Sequence, residues 1–136
     1  MSYAHFSSDC GEHHDLVVDF HGLRPEIVVL CGSTRFFDTF RSENLRLTLA
    51  GKIVLSIGCD TKADDDIAEI SDVEQAKTDL DELHKRKIDL ADSVLVLNVG
   101  GYIGSSTRSE VEYALRLGKP VVYLEPVGAE AVTSRA

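Results

Sequence analysis

The chain has 136 residues, 43% of them apolar and 27% charged, which suits one domain with a hydrophobic core that needs no staples. Its net charge of −9 excludes the basic face of a nucleic-acid groove, so no nucleic acid polymer is expected as a partner. A single nucleotide remains open, because one arginine and a few amides can hold one phosphate.

Cys10, Cys31 and Cys59 are odd in number and have no CxxC spacing, which fits free thiols in a reducing compartment. No apolar run approaches the roughly 18 residues of a membrane span, and the N-terminus lacks the basic and apolar regions of a secretory signal. A cytoplasmic chain with no membrane partner is expected.

Residues 1–25 read as an N-terminal arm or edge element, in which Leu16-Val17-Val18 can add an edge strand. Cys10, His13, His14 and His21 cluster there, but no second pair with zinc-like spacing follows. No metal and no cofactor are expected.

Ile27-Val28-Val29-Leu30 is a continuous β-branched run of the kind found in a buried parallel strand. It ends in Cys31-Gly32-Ser33-Thr34-Arg35, where glycine permits close backbone approach and Ser33 or Thr34 can cap a helix. Two readings stand for this turn: an anion site, or a capped turn with a solvated arginine. The helix predicted over 35–50 carries Phe36, Phe40 and Leu47 on one side, and Gly51 stops it.

A second strand is predicted over 53–57, broken by Gly58. Residues 59–70, with Asp60, Asp64, Asp65 and Asp66, lack the central glycine and closing glutamate of an EF-hand. They read as a solvated loop or a lid. Ser71-Asp72-Val73-Glu74 forms a capping box that opens a long helix over 72–91. Its expected apolar stripe is Val73, Ala76, Leu80, Leu83 and Ala91, with His84, Lys85, Arg86 and Lys87 in its second half.

The third strand, Val94 to Leu97, leads into a glycine-rich turn containing Asn98, Gly100, Gly101, Tyr102 and Gly104. Ser105, Ser106 and Thr107 follow at the entry to the last helix, where unpaired N–H groups and the dipole favour anions. That helix stops at Gly118-Lys119-Pro120, and Val121 to Leu124 is the fourth strand. Glu110 also has two readings. Thr107-Arg108-Ser109-Glu110 matches a capping box, whereas a carboxylate kept ionised by the helix terminus and aimed across the rim would be a nucleophile. Glu112 is rotated away from it and reads as a surface charge.

Strand and helix alternate, which demands a parallel sheet with right-handed crossovers. The expected fold is α/β, a single-domain Rossmann-like (flavodoxin-like) three-layer sandwich with a parallel sheet of four to five strands. It spans 26–126, with a tail over 127–136. Ligands in such sheets bind beyond the carboxyl ends of the strands. The turns Gly32 to Arg35, Gly58 to Asp60 and Asn98 to Glu110 all emerge there.

Glu110-Val111-Glu112-Tyr113-Ala114-Leu115-Arg116-Leu117-Gly118-Lys119 resembles the segment around the catalytic glutamate of the nucleoside 2-deoxyribosyltransferase superfamily. Cys31-Gly32-Ser33-Thr34-Arg35 resembles the phosphate-binding turn of its nucleotide N-glycosidase branch, which includes nucleoside monophosphate glycosidases and cytidylate hydrolases. The resemblance covers most of residues 27–124. It implies cleavage of an N-glycosidic bond, with Glu110 attacking C1′ of the sugar. Arg35, the Gly32–Thr34 amides and the Ser105–Thr107 hydroxyls would hold the 5′-phosphate. His84 falls where members carry an aspartate that protonates the leaving base. Val29 falls where many place a tyrosine that orients the glutamate, and Tyr102 would substitute for it. A homodimer or larger assembly is implied, with the helix over 72–91 as an interface. The acidic loop would carry base selectivity. Base exchange on unphosphorylated nucleosides and a non-catalytic nucleotide-sensing module are the alternatives.

Overall fold

The computed structural model describes residues 24–57 and 73–127. The arm, the tail, Gly58, Asp60, the acidic loop and the Ser71–Asp72 half of the capping box lie outside the described residues, as do Cys10 and Cys59.

The elements run β1 (Ile27–Cys31), α1 (Phe37–Leu49), β2 (Ile53–Leu55), α2 (Val73–Leu90), β3 (Ser93–Val96), α3 (Ser105–Arg116) and β4 (Val121–Tyr123). All strands pair in parallel, in the order β2-β1-β3-β4. The fold is the expected α/β sandwich, and its strand order changes direction at β1 and β3.

The pleat explains how one apolar run serves two layers, because alternate residues face opposite sides. Val28 and Leu30 pack with Phe40, Leu47, Leu95 and Leu97 under α1. Val29 and Cys31 pack with Ile88, Val94, Val96, Val111 and Ala114 under α2 and α3. Because both faces of β1 and β3 are covered, both strands read as unbroken apolar runs.

Three sequence expectations shift. The predicted first helix begins as a 3₁₀ turn over Thr34–Phe36, capped by the Ser33 hydroxyl, before α1 proper starts at Phe37. Phe36 therefore leaves the α1 stripe and meets the Tyr102 ring edge-on at 6.0 Å. Pairing in β2 stops at Leu55, short of Ile57. On α2 the buried face is His84 and Ile88, whereas Leu80 and Leu83 are about half exposed. The predicted stripe followed apolar residue types, but the sheet-facing line runs through the histidine inside the charged stretch.

Asp92 and Lys119 tie elements of the fold together. Asp92 binds Arg24 through both oxygens at 2.6 and 2.9 Å and accepts the Ile27 N–H, fixing the start of β1. These bonds hold its carboxyl well below the usual range. Lys119 donates to the Asp89 and Ala91 carbonyls, placing a cation at the C-terminus of α2. No helix among the described residues is long and apolar enough to cross a membrane.

Candidate active site

The chain turns at the carboxyl ends of the two inner strands. After β1, Gly32 passes against the end of β3, and a Cβ on it would lie 3.1 Å from Leu97 Cβ and 3.2 Å from the Leu97 carbonyl oxygen. A side chain here would have to push Leu97 aside by a few tenths of an ångström, so glycine suits this close approach. Arg35 emerges exposed from the following 3₁₀ turn. Its guanidinium lies 4.1 Å from the centre of the Tyr102 ring and donates to the Tyr102 hydroxyl at 3.3 Å. The Gly32–Arg35 turn and the glycine-rich turn are thus joined through Arg35 and Tyr102.

Asn98 is fully buried. Its amide donates to the Glu125 carbonyl at 3.1 Å and accepts the Glu125 N–H at 2.9 Å, while the Glu125 carboxylate accepts the Gly100 N–H. Both ends of the side chain are spent on the chain beyond β4, so Asn98 shapes the turn rather than presenting its amide to a ligand. Gly100 and Gly101 follow with φ of 63° and 81°, a left-handed path that favours glycine. Asn98→Ala should cost about 1–3 kcal/mol, since it orphans buried backbone groups. Chemical denaturation would read this, and an unchanged midpoint would show that the strap carries no weight.

Helix α3 decides between the two readings of Glu110. The helix starts at Ser105 with Gly104 at its N-cap, and its first internal bond runs from the Arg108 N–H to the Gly104 carbonyl. Thr107 is therefore inside the first turn, not at the cap, and the Thr107–Glu110 capping box does not form. The N–H groups of Ser105, Ser106 and Thr107 point beyond the helix end. Thr107, Glu110, Val111 and Ala114 share the buried face. The Ser106 hydroxyl bonds Asp81 of α2 at 3.4 Å. Glu112 is exposed, as expected.

The buried face of α3 sets Glu110 beside the end of β1. Glu110 is 8% exposed, with the Cys31 thiol within 4.8 Å of its carboxylate. Burial pushes its carboxyl up to about 7, with the neighbouring Cys31 thiol and Lys85 opposing and Asp81 adding to the rise. The sequence expectation that the helix terminus keeps Glu110 ionised is therefore corrected, because desolvation outweighs it. The Cys31 thiol is raised in turn, first by burial and then by the neighbouring carboxylate.

His84 reaches the same place from α2. Its Nε2 lies 3.0 Å from the Leu30 carbonyl oxygen and 3.5 Å from Cys31 Sγ. A carbonyl only accepts, so Nε2 carries the ring proton and donates it to Leu30. Burial, helped by Lys87, lowers His84 to about 4, so the ring is neutral at neutral pH.

Among the described residues, Cys31, His84 and Glu110 form a cluster of metal-ligating side chains, with donor atoms all within 4.8 Å of one another. Sequence spacing conceals this cluster, because each member comes from a different element. Cys31 enters the sequence reading only within a turn motif, and its thiol lies beside Glu110, where Tyr102 is the expected orienting group. Tyr102 serves Arg35 instead. Gly32, Ser33, Thr34, Arg35, Gly101, Gly104, Ser105, Ser106 and Thr107 all lie on the rim beyond β1 and β3.

No family model matches this chain. No curated protein matches it either.

Proposed function

We propose that the protein is a nucleoside 5′-monophosphate N-glycosidase that releases free base and (deoxy)ribose 5-phosphate. The observation that carries this reading is the setting of Glu110: a buried carboxyl, off the helix cap, with the Cys31 thiol at the end of β1 within 4.8 Å of it. The short resemblance to the nucleoside 2-deoxyribosyltransferase superfamily supports the same chemistry.

In this reading Arg35, the Gly32–Thr34 amides and the α3 N-terminus hold the phosphate, which positions C1′ over Glu110. The Glu110 carboxylate forms a bond to C1′ as the base departs with the bonding pair and takes a proton from solvent. Water then attacks C1′, breaking its bond to Glu110 and losing a proton to solvent, which releases the sugar phosphate and the free carboxylate in the two-step manner of retaining glycosidases. A carboxylate with its pKa near 7 is more basic, hence more nucleophilic, than an ordinary one, and the growing positive charge on the sugar favours its ionised form. His84 is neutral and its Nε2–H is held in a hydrogen bond to the Leu30 carbonyl, so it acts as a positioning residue for Cys31 rather than as the acid for the leaving base. The exposed Leu80 and Leu83 on α2 support the expected homo-oligomer.

The test is chromatography for free base after incubation with separate ribo- and deoxyribonucleoside monophosphates and their nucleosides. Base should appear from a monophosphate with the native protein and not with Glu110→Ala. Absence of base from every substrate, with or without an acceptor base, would leave a nucleotide-binding module as the better account. Exchange confined to nucleosides would identify a transferase.

A further inference from the structure

We propose that Cys31, His84 and Glu110 form a binding site for one Zn²⁺ ion, supplied by β1, α2 and α3, and that the bound ion shuts the site off by taking the Glu110 carboxylate as a ligand.

The donor set points to this class of ion. A thiolate, an imidazole and a carboxylate together suit Zn²⁺, whereas Mg²⁺ and Ca²⁺ take oxygen ligands. Three protein ligands leave a fourth position for water, the open arrangement of non-structural zinc sites. The spacing also fits. Zn–S and Zn–N bonds of about 2.3 and 2.0 Å at a tetrahedral angle put sulfur and nitrogen about 3.5 Å apart, and Cys31 Sγ already lies 3.5 Å from His84 Nε2. With all three donors inside 4.8 Å, closing on the ion takes side-chain adjustment at Glu110 and His84. All three side chains are buried, so the protein wall already excludes most competing water.

Protons must balance. The Cys31 thiol loses its proton to solvent, as does any Glu110 that is protonated. The His84 ring exchanges its proton from Nε2 to Nδ1 and gives up the Leu30 carbonyl to bind through Nε2. Binding is therefore accompanied by net proton release.

The experiment is a titration of the full chain with Co²⁺, whose thiolate charge-transfer band in the near ultraviolet and intense visible bands report a four-coordinate site. It is done on Cys10→Ser/Cys59→Ser, which removes the other two thiols and keeps the cluster. One Co²⁺ per chain should bind with a charge-transfer band, be displaced by Zn²⁺, and lose that band when Cys31→Ser is added. Glu110→Gln should weaken Zn²⁺ by at least the roughly 10- to 100-fold that loss of an outer-shell partner costs elsewhere. No charge-transfer band in Cys10→Ser/Cys59→Ser would overturn the site, as would a band that survives Cys31→Ser. Should Cys31→Ser fail to fold, Glu110→Gln decides, and an affinity within about twofold of its parent overturns the assignment. Inhibition of base release by Zn²⁺, reversed by a chelator, rests on the glycosidase reading. The cobalt spectrum needs no substrate, so a protein that releases no base loses that reading while the metal site is still decided.

Discussion

Glu110→Gln should abolish base release and, at about pH 8, make the protein more stable. A carboxyl raised from its ordinary 4.5 to about 7 means that ionising it costs the folded state about 3 kcal/mol. The sign follows from the direction of the shift. The folded state holds the Glu110 proton more tightly than the unfolded chain, so this stabilisation is full below about pH 4.5 and is lost as pH rises through about 7. His84 runs the other way. Lowered from 6.5 to about 4, it contributes stability above about pH 6.5 that is lost as pH falls through about 4, again about 3 kcal/mol in total. Between about pH 4.5 and 6.5 the two slopes cancel in the native protein. Glutamine removes one of them. Urea midpoints should then show the variant up to about 3 kcal/mol more stable at pH 8, near parity at pH 4, and rising with pH between the two because only His84 still titrates. Base release should fall by about 10⁴-fold or more, as for loss of other catalytic nucleophiles. A variant less stable than native at pH 8 would mean that Glu110 is a structural ion, and the nucleophile reading would fail with it.

Arg35→Ala should separate nucleotide from nucleoside. The guanidinium is exposed and rests on the Tyr102 ring, so its removal costs the fold little, within the about 0.5–1 kcal/mol of an exposed cation–π contact. A charge-assisted bond to phosphate is worth about 1.5–3 kcal/mol. KM for the monophosphate should therefore rise roughly 10- to 100-fold, while any turnover of the unphosphorylated nucleoside stays unchanged. Steady-state kinetics on the matched pair would read this. Equal losses on both substrates would remove Arg35 from the phosphate site, and with it the preference for nucleotides.

The parallel sheet was legible because β1 and β3 are buried on both faces, and Val28–Leu30 and Val94–Leu97 advertise that as unbroken apolar runs. The turns beyond β1 and β3 were legible too, since Gly100 and Gly101 take left-handed φ that favours glycine and Gly32 passes close to Leu97. Local motif matching failed at the entry to α3. The Thr107–Glu110 spacing is that of a capping box, but the N-cap is Gly104, three residues earlier, so Thr107 and Glu110 lie on the helix's buried face. Periodicity also failed on α2, because His84 sits among Lys85, Arg86 and Lys87 and its burial depends on the Leu30 carbonyl across the layer. The contact between Cys31 and Glu110 could not be read from spacing at all. It exists because β1 and α3 are brought together by two crossovers, and nothing local to either segment encodes the other.

The sheet has long inner strands and three-residue edges, and this difference sets an order of opening. Local unfolding draws on whichever segment has the fewest ladder bonds and the least buried surface. Here that is β2 and β4, whose Ile53 and Val122 are already exposed, not the β1–β3 ladder that supports Cys31 and the two turns. Fraying at the margins would thus leave the floor of the site intact. Cys31 stands on that inner ladder with Glu110 of α3 beside it, away from the margins that open first.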